Sequence, residues 1–241
     1  DRPRTMGLPT VADWKNDHWS GSPADVDGQE STWAKQRSIL KIPAIWVLAL
    51  SSASIYVTRY AINSWGVLYL QEAKGYSLMQ AGGVISVNTL AGIIGALAFG
   101  FASDKIFNAR RPPTNLIFAV VEIAGLLMIF FGPTGRPTFM TFAFFIYGFG
   151  LTGLITSLGG LYALDIAPKR AAGAAMGFIG VFSYIGAALQ DQISGHLIEK
   201  GMTVVDGVRH YDFSAAITFW VGASIVSLIL ATTLWRVKLR D

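Results

Sequence analysis

From residue 43 onward, six long apolar stretches alternate with short polar segments. They run Pro43–Leu70, Leu78–Phe101, Asn115–Phe131, Thr138–Leu164, Ala171–Ile198 and Phe213–Trp235. About 20 apolar residues suffice to cross a hydrocarbon core as a helix, so the pattern predicts an all-α membrane protein with six transmembrane helices. Composition agrees: hydrophobic residues make up 52% of the chain and charged residues only 14%, more apolar than a soluble domain of this length usually is.

Residues 1–42 have a different texture, rich in Pro, Gly, Ser and Asp and without a sustained period. They read as a linker on the cytoplasmic side, with a short amphipathic helix over residues 31–40 resting on the membrane surface. The segment has no apolar core of the kind a signal peptide needs, and it opens without an initiating Met, as expected of a piece of a longer chain. His18 stands alone at helical spacing and reads as a solvated linker residue.

Lys and Arg divide unevenly between the two sides of the predicted bundle. One side holds the linker, the segment with Lys105, Arg110 and Arg111, the segment with Lys169 and Arg170, and the tail 236–241 with Arg236, Lys238 and Arg240. The other side holds Lys74, Arg136, Lys200 and Arg209 alone. Cytoplasmic segments retain basic residues, so both termini are expected in the cytoplasm, and the net charge of +4 reports topology rather than nucleic-acid binding. The absence of cysteine removes disulfides, iron–sulfur clusters and thiolate zinc sites. No metal site or cofactor is expected.

Arg59 breaks the apolar pattern near the middle of the first stretch. A charge at that depth costs about 3 kcal/mol on insertion scales, so it stays where it faces a cavity, a partner or a substrate. Tyr56, Arg59, Tyr60 and Asn63 recur at three- and four-residue spacing, which puts two phenols, a guanidinium and an amide on one helix face. The guanidinium fork can grip two phosphate oxygens while a phenol donates to a third. The bland alternative is an Arg neutralised by an acid on a neighbouring helix. Asp191, two turns beyond Tyr184 in the fifth stretch, is the candidate acid; it either pairs with Arg59, binds a proton or a sugar hydroxyl, or lies wet near the outer end.

Small residues recur every four positions at Gly92, Ala96 and Gly100, and again at Gly173 and Gly177. Lipid offers helices no hydrophobic drive to associate, so such faces are expected to pack by close backbone approach. Gly148, Gly150, Gly153, Gly159 and Gly160 suggest bending of the fourth helix.

The segment Gly100-Phe-Ala-Ser-Asp104-Lys105-Ile-Phe-Asn-Ala-Arg110-Arg111 resembles the cytoplasmic signature loop of the major facilitator superfamily. Asp104 is expected to meet positive residues of a neighbouring loop and latch that side shut, with Lys105, Arg110 and Arg111 completing a gate loop. The stretches GLPTVADWKND, YVTRYAINSWGVLYLQE, GFASDKIF and ALDIAPKRAAGAAMGFIGVFSYIGAAL together resemble the C-terminal half of the organophosphate:phosphate antiporter family. That family includes bacterial glycerol-3-phosphate and hexose-6-phosphate transporters and a related glucose-6-phosphate sensor.

The resemblance implies two six-helix bundles built from inverted three-helix repeats, with substrate held between them and exchanged for inorganic phosphate as the bundles rock. It places Arg59 in the phosphate site, with Tyr56, Tyr60 and Tyr184 beside it, and it implies a missing N-terminal six-helix half. A bacterial inner membrane is the implied location. One departure stands out: Thr89, beside Asn88, occupies a position where relatives carry an acid. Two functions follow from the resemblance. The first is a transporter exchanging a sugar phosphate or glycerol-3-phosphate for phosphate; the alternative is a membrane sensor acting with a histidine kinase. An enzyme is not expected, since no nucleophile elbow, His-Glu-x-x-His pair, P-loop or dinucleotide glycine motif occurs.

Overall fold

The computed structural model describes residues 39–168 and 171–236. Most of the expected linker, Lys169 and Arg170, and the end of the basic tail lie outside the described residues. Six helices long and apolar enough to cross a membrane are present.

Proline sets the start of three of them, because its fixed φ suits the first turn and its missing N–H is one the helix does not need there. Thus α1 runs Pro43–Glu72, α3 runs Arg111–Phe131 with Pro112 and Pro113 in its first turn, and α4 begins at Pro137. The first turn of α3 is therefore cut from the polar loop, four residues before the apolar run. Ser77 opens α2 (Leu78–Phe101) with a reciprocal cap: Gln80 N–H donates to Ser77 Oγ at 3.3 Å and Ser77 N–H to Gln80 Oε1 at 3.0 Å. Helix α5 spans Ala172–Lys200 and α6 spans Ser214–Thr233. Just before α6, Asp212 accepts from the Ser214 N–H at 2.9 Å and its hydroxyl at 2.6 Å, bonds that hold this exposed carboxyl below its ordinary range.

Two of the rods leave α geometry before they end. A π-helical turn, Ala102–Ile106, extends α2, and another, Ser157–Leu161, carries α4 (Pro137–Thr156) into a last helical turn, Tyr162–Ile166. Gly159 and Gly160 fall in the second of these turns, where the α-helical bonding pattern is interrupted. A β-hairpin unforeseen in the sequence reading, β1 (Met202–Val205) against β2 (Val208–Tyr211), joins α5 to α6. Its two-residue turn, Asp206-Gly207, holds both residues at positive φ, 53° and 79°, the geometry that suits the twist of paired strands.

Packing partners repeat between the two halves of the bundle. Helix α1 lies against α5 and α6, and α4 lies in the same way against α2 and α3, while α3 meets α6 across the middle. Three is odd, so consecutive spans would bring the second triplet in from the opposite side to the first, the relation an inverted repeat requires.

Backbone approach is closest between α2 and α4. A Cβ at Gly95 would collide with the Phe149 carbonyl, one at Gly148 with the Asn88 carbonyl, and one at Gly92 with the Thr152 hydroxyl. Gly92 therefore packs as its spacing suggested. Gly100, Gly173 and Gly177 meet nothing within 4 Å, and the packing glycine of α5 is instead Gly186, against the Ala53 carbonyl. Four-residue spacing marks a smooth face but not which neighbour covers it. Buried hydroxyls tie α1 to its partners: Ser51 Oγ lies 3.2 Å from Ser227 Oγ on α6, and Ser52 Oγ lies 2.7 Å from Ser183 Oγ on α5. At one end of the bundle, Lys74 Nζ donates to the Phe130 and Gly132 carbonyls at 3.1 and 2.8 Å, closing the C-terminus of α3.

Gly95→Val should destabilise the bundle by about 1–3 kcal/mol, because neither backbone can retreat, whereas Gly177→Val on an open face should change stability by less than about 0.5 kcal/mol. Thermal unfolding of the two variants in detergent checks this, and equal shifts would refute the packing assignment.

Candidate functional site

Arg59 projects from the middle of α1, half-buried, into an aromatic corner. Its Cζ stands 5.4 Å from the Tyr56 ring centroid and 6.0 Å from that of Tyr60. The two rings stack at 6.0 Å, and Tyr184 from α5 meets them edge-on at 5.8 and 6.3 Å. Helical spacing placed Tyr56 and Tyr60; only the packing of α5 on α1 brings in Tyr184. Ring faces attract a cation without consuming its N–H donors. Among the described residues, Arg59 joins no salt bridge and its fork donates to no side chain.

On its other flank Arg59 opens onto a cleft of about 440 Å³ between α1, α2 and α4. Asn63 shares this cleft from α1, Asn88, Thr89 and Gly92 line it from α2, and Thr152 lines it from α4. The lining offers amides and hydroxyls around one guanidinium, with no acid among the lining residues. Thr89 therefore sits within the Arg59 cleft as a neutral hydrogen-bonding group.

Asp191 is exposed on α5 and makes no ion pair with Arg59, so the pairing considered for it is absent. Its neighbour Gln190 points inward instead and donates to Ser194 Oγ at 3.1 Å. A helix turns 100° per residue, so the two side chains part company.

Within the 100–111 segment Arg111 gathers the acids, while Lys169 and Arg170, the basic residues of the neighbouring loop, lie outside the described residues. Asp104 Oδ1 accepts from Arg111 Nη1 at 2.8 Å, within its own segment. The link to the neighbour is made by an acid: Arg111 Nε donates to Asp165 Oδ2 at 2.8 Å, at the end of the α4 rod, while Nη1 also donates to Ser103 Oγ at 2.8 Å. Starting α3 at Arg111 turns this guanidinium inward, where it is buried, and leaves Lys105 and Arg110 exposed without an ion pair among the described residues.

A second polar centre went unnoticed in the sequence reading. Glu122, in the middle of α3, is fully buried. The Ser224 hydroxyl of α6 donates to Glu122 Oε1 at 2.9 Å, and Ser224 Oγ lies 2.8 Å from Thr58 Oγ1, one residue before Arg59. The Tyr147 hydroxyl of α4 donates to the Thr58 carbonyl at 3.1 Å. Gly150 lets α4 close on the Glu122 backbone, where a Cβ would strike its nitrogen. The lone acid in an otherwise apolar run was the available signal, equal in kind to the one that singled out Arg59.

Residues 6–190 match the Major Facilitator Superfamily. The chain is 39% identical over 190 residues to the membrane sensor protein UhpC of Salmonella typhimurium, covering 78% of this chain and 43% of that protein. It is 27% identical over 241 residues to the glycerol-3-phosphate transporter of Bacillus subtilis, covering 98% of this chain and 51% of that protein. A probable hexose phosphate transport protein of Chlamydia muridarum is 34% identical over 200 residues, covering 78% and 43%. The chain thus spans about half the length of the curated relatives it matches.

Arg111→Met removes the shared partner of two carboxylates and should lower stability by about 1–2 kcal/mol, since Asp104 is largely exposed and Asp165 only partly covered. Arg110→Met, at an exposed position without an ion pair among the described residues, should shift the melting temperature negligibly. Melting curves of the two variants side by side decide the point, and a comparable fall in both would dissolve the cluster's structural role.

Proposed function

The chain belongs to the Major Facilitator Superfamily, and from that premise we propose that it forms one six-helix half of a transporter exchanging a phosphorylated metabolite for inorganic phosphate. The observation that carries the reading is Arg59: a guanidinium at mid-depth, without a carboxylate partner among the described residues, framed by Tyr56, Tyr60 and Tyr184 and opening onto a cleft where amides and hydroxyls stand beside Ile93, Ala96, Leu97 and Leu151. Such a group is electrostatically incomplete until an anion arrives, and its planar fork suits two phosphate oxygens.

In this reading a second six-helix bundle faces the Arg59 surface, and the two rock to expose the site to each side in turn. Asn63, with Asn88 and Thr89, would take hydroxyls of the metabolite. The Asp104–Arg111–Asp165 cluster, together with the exposed Lys105 and Arg110, lies at one end as part of the gate. The biased placement of Lys and Arg supports a cytoplasmic side for that end and for both termini, and the membrane in this reading is a bacterial inner membrane.

A sensor is the second reading, favoured by the identity of 39% to a membrane sensor protein against 27% to a glycerol-3-phosphate transporter. Such a protein would bind a sugar phosphate at the same site and signal through a histidine kinase.

The test uses this chain together with the bundle proposed to complete it, reconstituted in phosphate-loaded liposomes and offered labelled phosphate, glycerol-3-phosphate and glucose-6-phosphate. Uptake should require internal phosphate and fall by at least about tenfold in Arg59→Lys, which keeps the charge but loses the fork. Binding without flux would establish the sensor, and neither binding nor flux would dismiss an organophosphate ligand. Asp191→Asn should slow exchange several-fold with folding intact if the carboxylate contacts a proton or sugar hydroxyl during the cycle; unaltered exchange removes Asp191 from the site.

A further inference from the structure

We propose that Glu122 is a proton-binding site linked to the anion site at Arg59, so that an anion at the guanidinium and a proton at the buried carboxyl favour each other. The proposal rests on the reading of Arg59 as an anion site.

Geometry supplies partners for both states of the carboxyl. Each hydroxyl has one proton to give and can accept in return. With Glu122 ionised, Thr58 Oγ1 donates to Ser224 Oγ and Ser224 Oγ donates to Glu122 Oε1, across contacts of 2.8 and 2.9 Å. With Glu122 protonated at Oε1 the chain reverses. The carboxyl donates to Ser224, Ser224 to Thr58, and Thr58 to the Trp220 carbonyl, which lies 3.1 Å from Thr58 Oγ1 and terminates the run. No heavy atom has to move. A serine and a threonine that served only to neutralise a permanent carboxylate would not need that final acceptor.

Neither state is favoured outright. Glu122 is fully buried and its Oε2 has no partner among the described residues, which strongly disfavours a bare negative charge there. Against this stands Arg59: its charge and the Glu122 carboxyl both lie within electrostatic reach of the buried Tyr147 hydroxyl, which is bonded to the Thr58 carbonyl. The other groups that bear on Glu122 are few. Helix α4 contributes Tyr147, whose hydroxyl is bonded to the Thr58 carbonyl, and α6 carries no ionisable side chain over Ser214–Thr233. On α3 itself the only other charged side chain is Arg111 at the far end, already committed to Asp104 and Asp165.

While the anion site is empty, an ionised Glu122 and Arg59 balance each other in a low-dielectric interior where charge is poorly screened. An anion bound at Arg59 upsets that balance, and a proton on Glu122 restores it. By reciprocity, low pH must then tighten anion binding as much as the anion promotes protonation. Each crossing with anion bound would carry a proton in the same direction.

Inorganic phosphate is the probe, titrated calorimetrically at pH 6 and pH 8 against the complete protein in lipid nanodiscs, beside Glu122→Gln and Arg59→Lys. Phosphate's own titration is common to all three, so the readout is the difference in pH dependence. The unmodified protein should gain affinity toward low pH relative to Glu122→Gln by up to about tenfold per pH unit, the limit for one linked proton. Identical pH dependence in the two, with binding weakened in Arg59→Lys, overturns the proposal and leaves the anion site standing. Absence of phosphate binding, or binding indifferent to Arg59→Lys, overturns the anion site and the proposal with it. Should the Gln variant not fold, infrared difference spectra of the unmodified protein read the same event: phosphate should raise the carbonyl band of a newly protonated carboxyl, and no such band overturns the proposal.

Discussion

A guanidinium halfway along a membrane helix, paired with no carboxylate among the described residues, is the constraint around which the rest of this bundle is arranged. Arg59 is held by the faces of Tyr56 and Tyr60, which attract its charge while leaving its N–H donors unspent. Had an acid occupied the cleft, the pair would have been internally satisfied. The residues at that level are instead Asn63, Asn88, Thr89 and Thr152, polar enough to hold a ligand's hydroxyls and neutral enough to leave the positive field intact. In the proposed function that field is what an incoming phosphate meets.

The scaffold that positions this charge owes little to hydrophobic burial, because lipid is as apolar as the helix faces. Beside its interlocked apolar side chains, its closest contacts are backbone against backbone at glycines, and hydroxyl against hydroxyl between serines and threonines. Gly95 and Gly148 bring α2 onto α4, and Gly150 brings α4 onto α3 at Glu122. The same economy that packs the helices also sets Glu122 two hydroxyls away from Thr58, the residue before Arg59 in α1. Packing and charge balance meet at Thr58, which hydrogen-bonds α6 and accepts from α4 one residue before the guanidinium.

The six spans, the class of protein and Arg59 itself were legible from the chain, because a membrane helix must be apolar for about 20 residues and any charge inside it is conspicuous. Tyr56 and Tyr60 were legible for the same reason, since helical spacing alone puts them on the Arg59 face. The hairpin at Asp206-Gly207 was written in a strong turn signal and passed over among apolar helices. Glu122 was passed over as well, although it obeys the rule that picked out Arg59.

What the sequence could not decide is which side chains meet across helices. Four-residue spacing at Gly173 and Gly177 looks the same in one dimension as that at Gly92, yet only Gly92 faces a neighbour. Asp191 and Gln190 differ by one position, and a 100° rotation sends one out and the other in. Asp104 had several basic residues within reach in the sequence, and the start of α3 at Arg111 chose among them and brought in Asp165 from α4. The chain by itself determined that six helices cross a membrane and that one carries a mid-depth cation, because those are local demands of the solvent. Only the tertiary structure decided which groups surround that cation and which hydroxyls meet the buried acid of α3, because rotation and register between helices are set by packing, which no single helix contains.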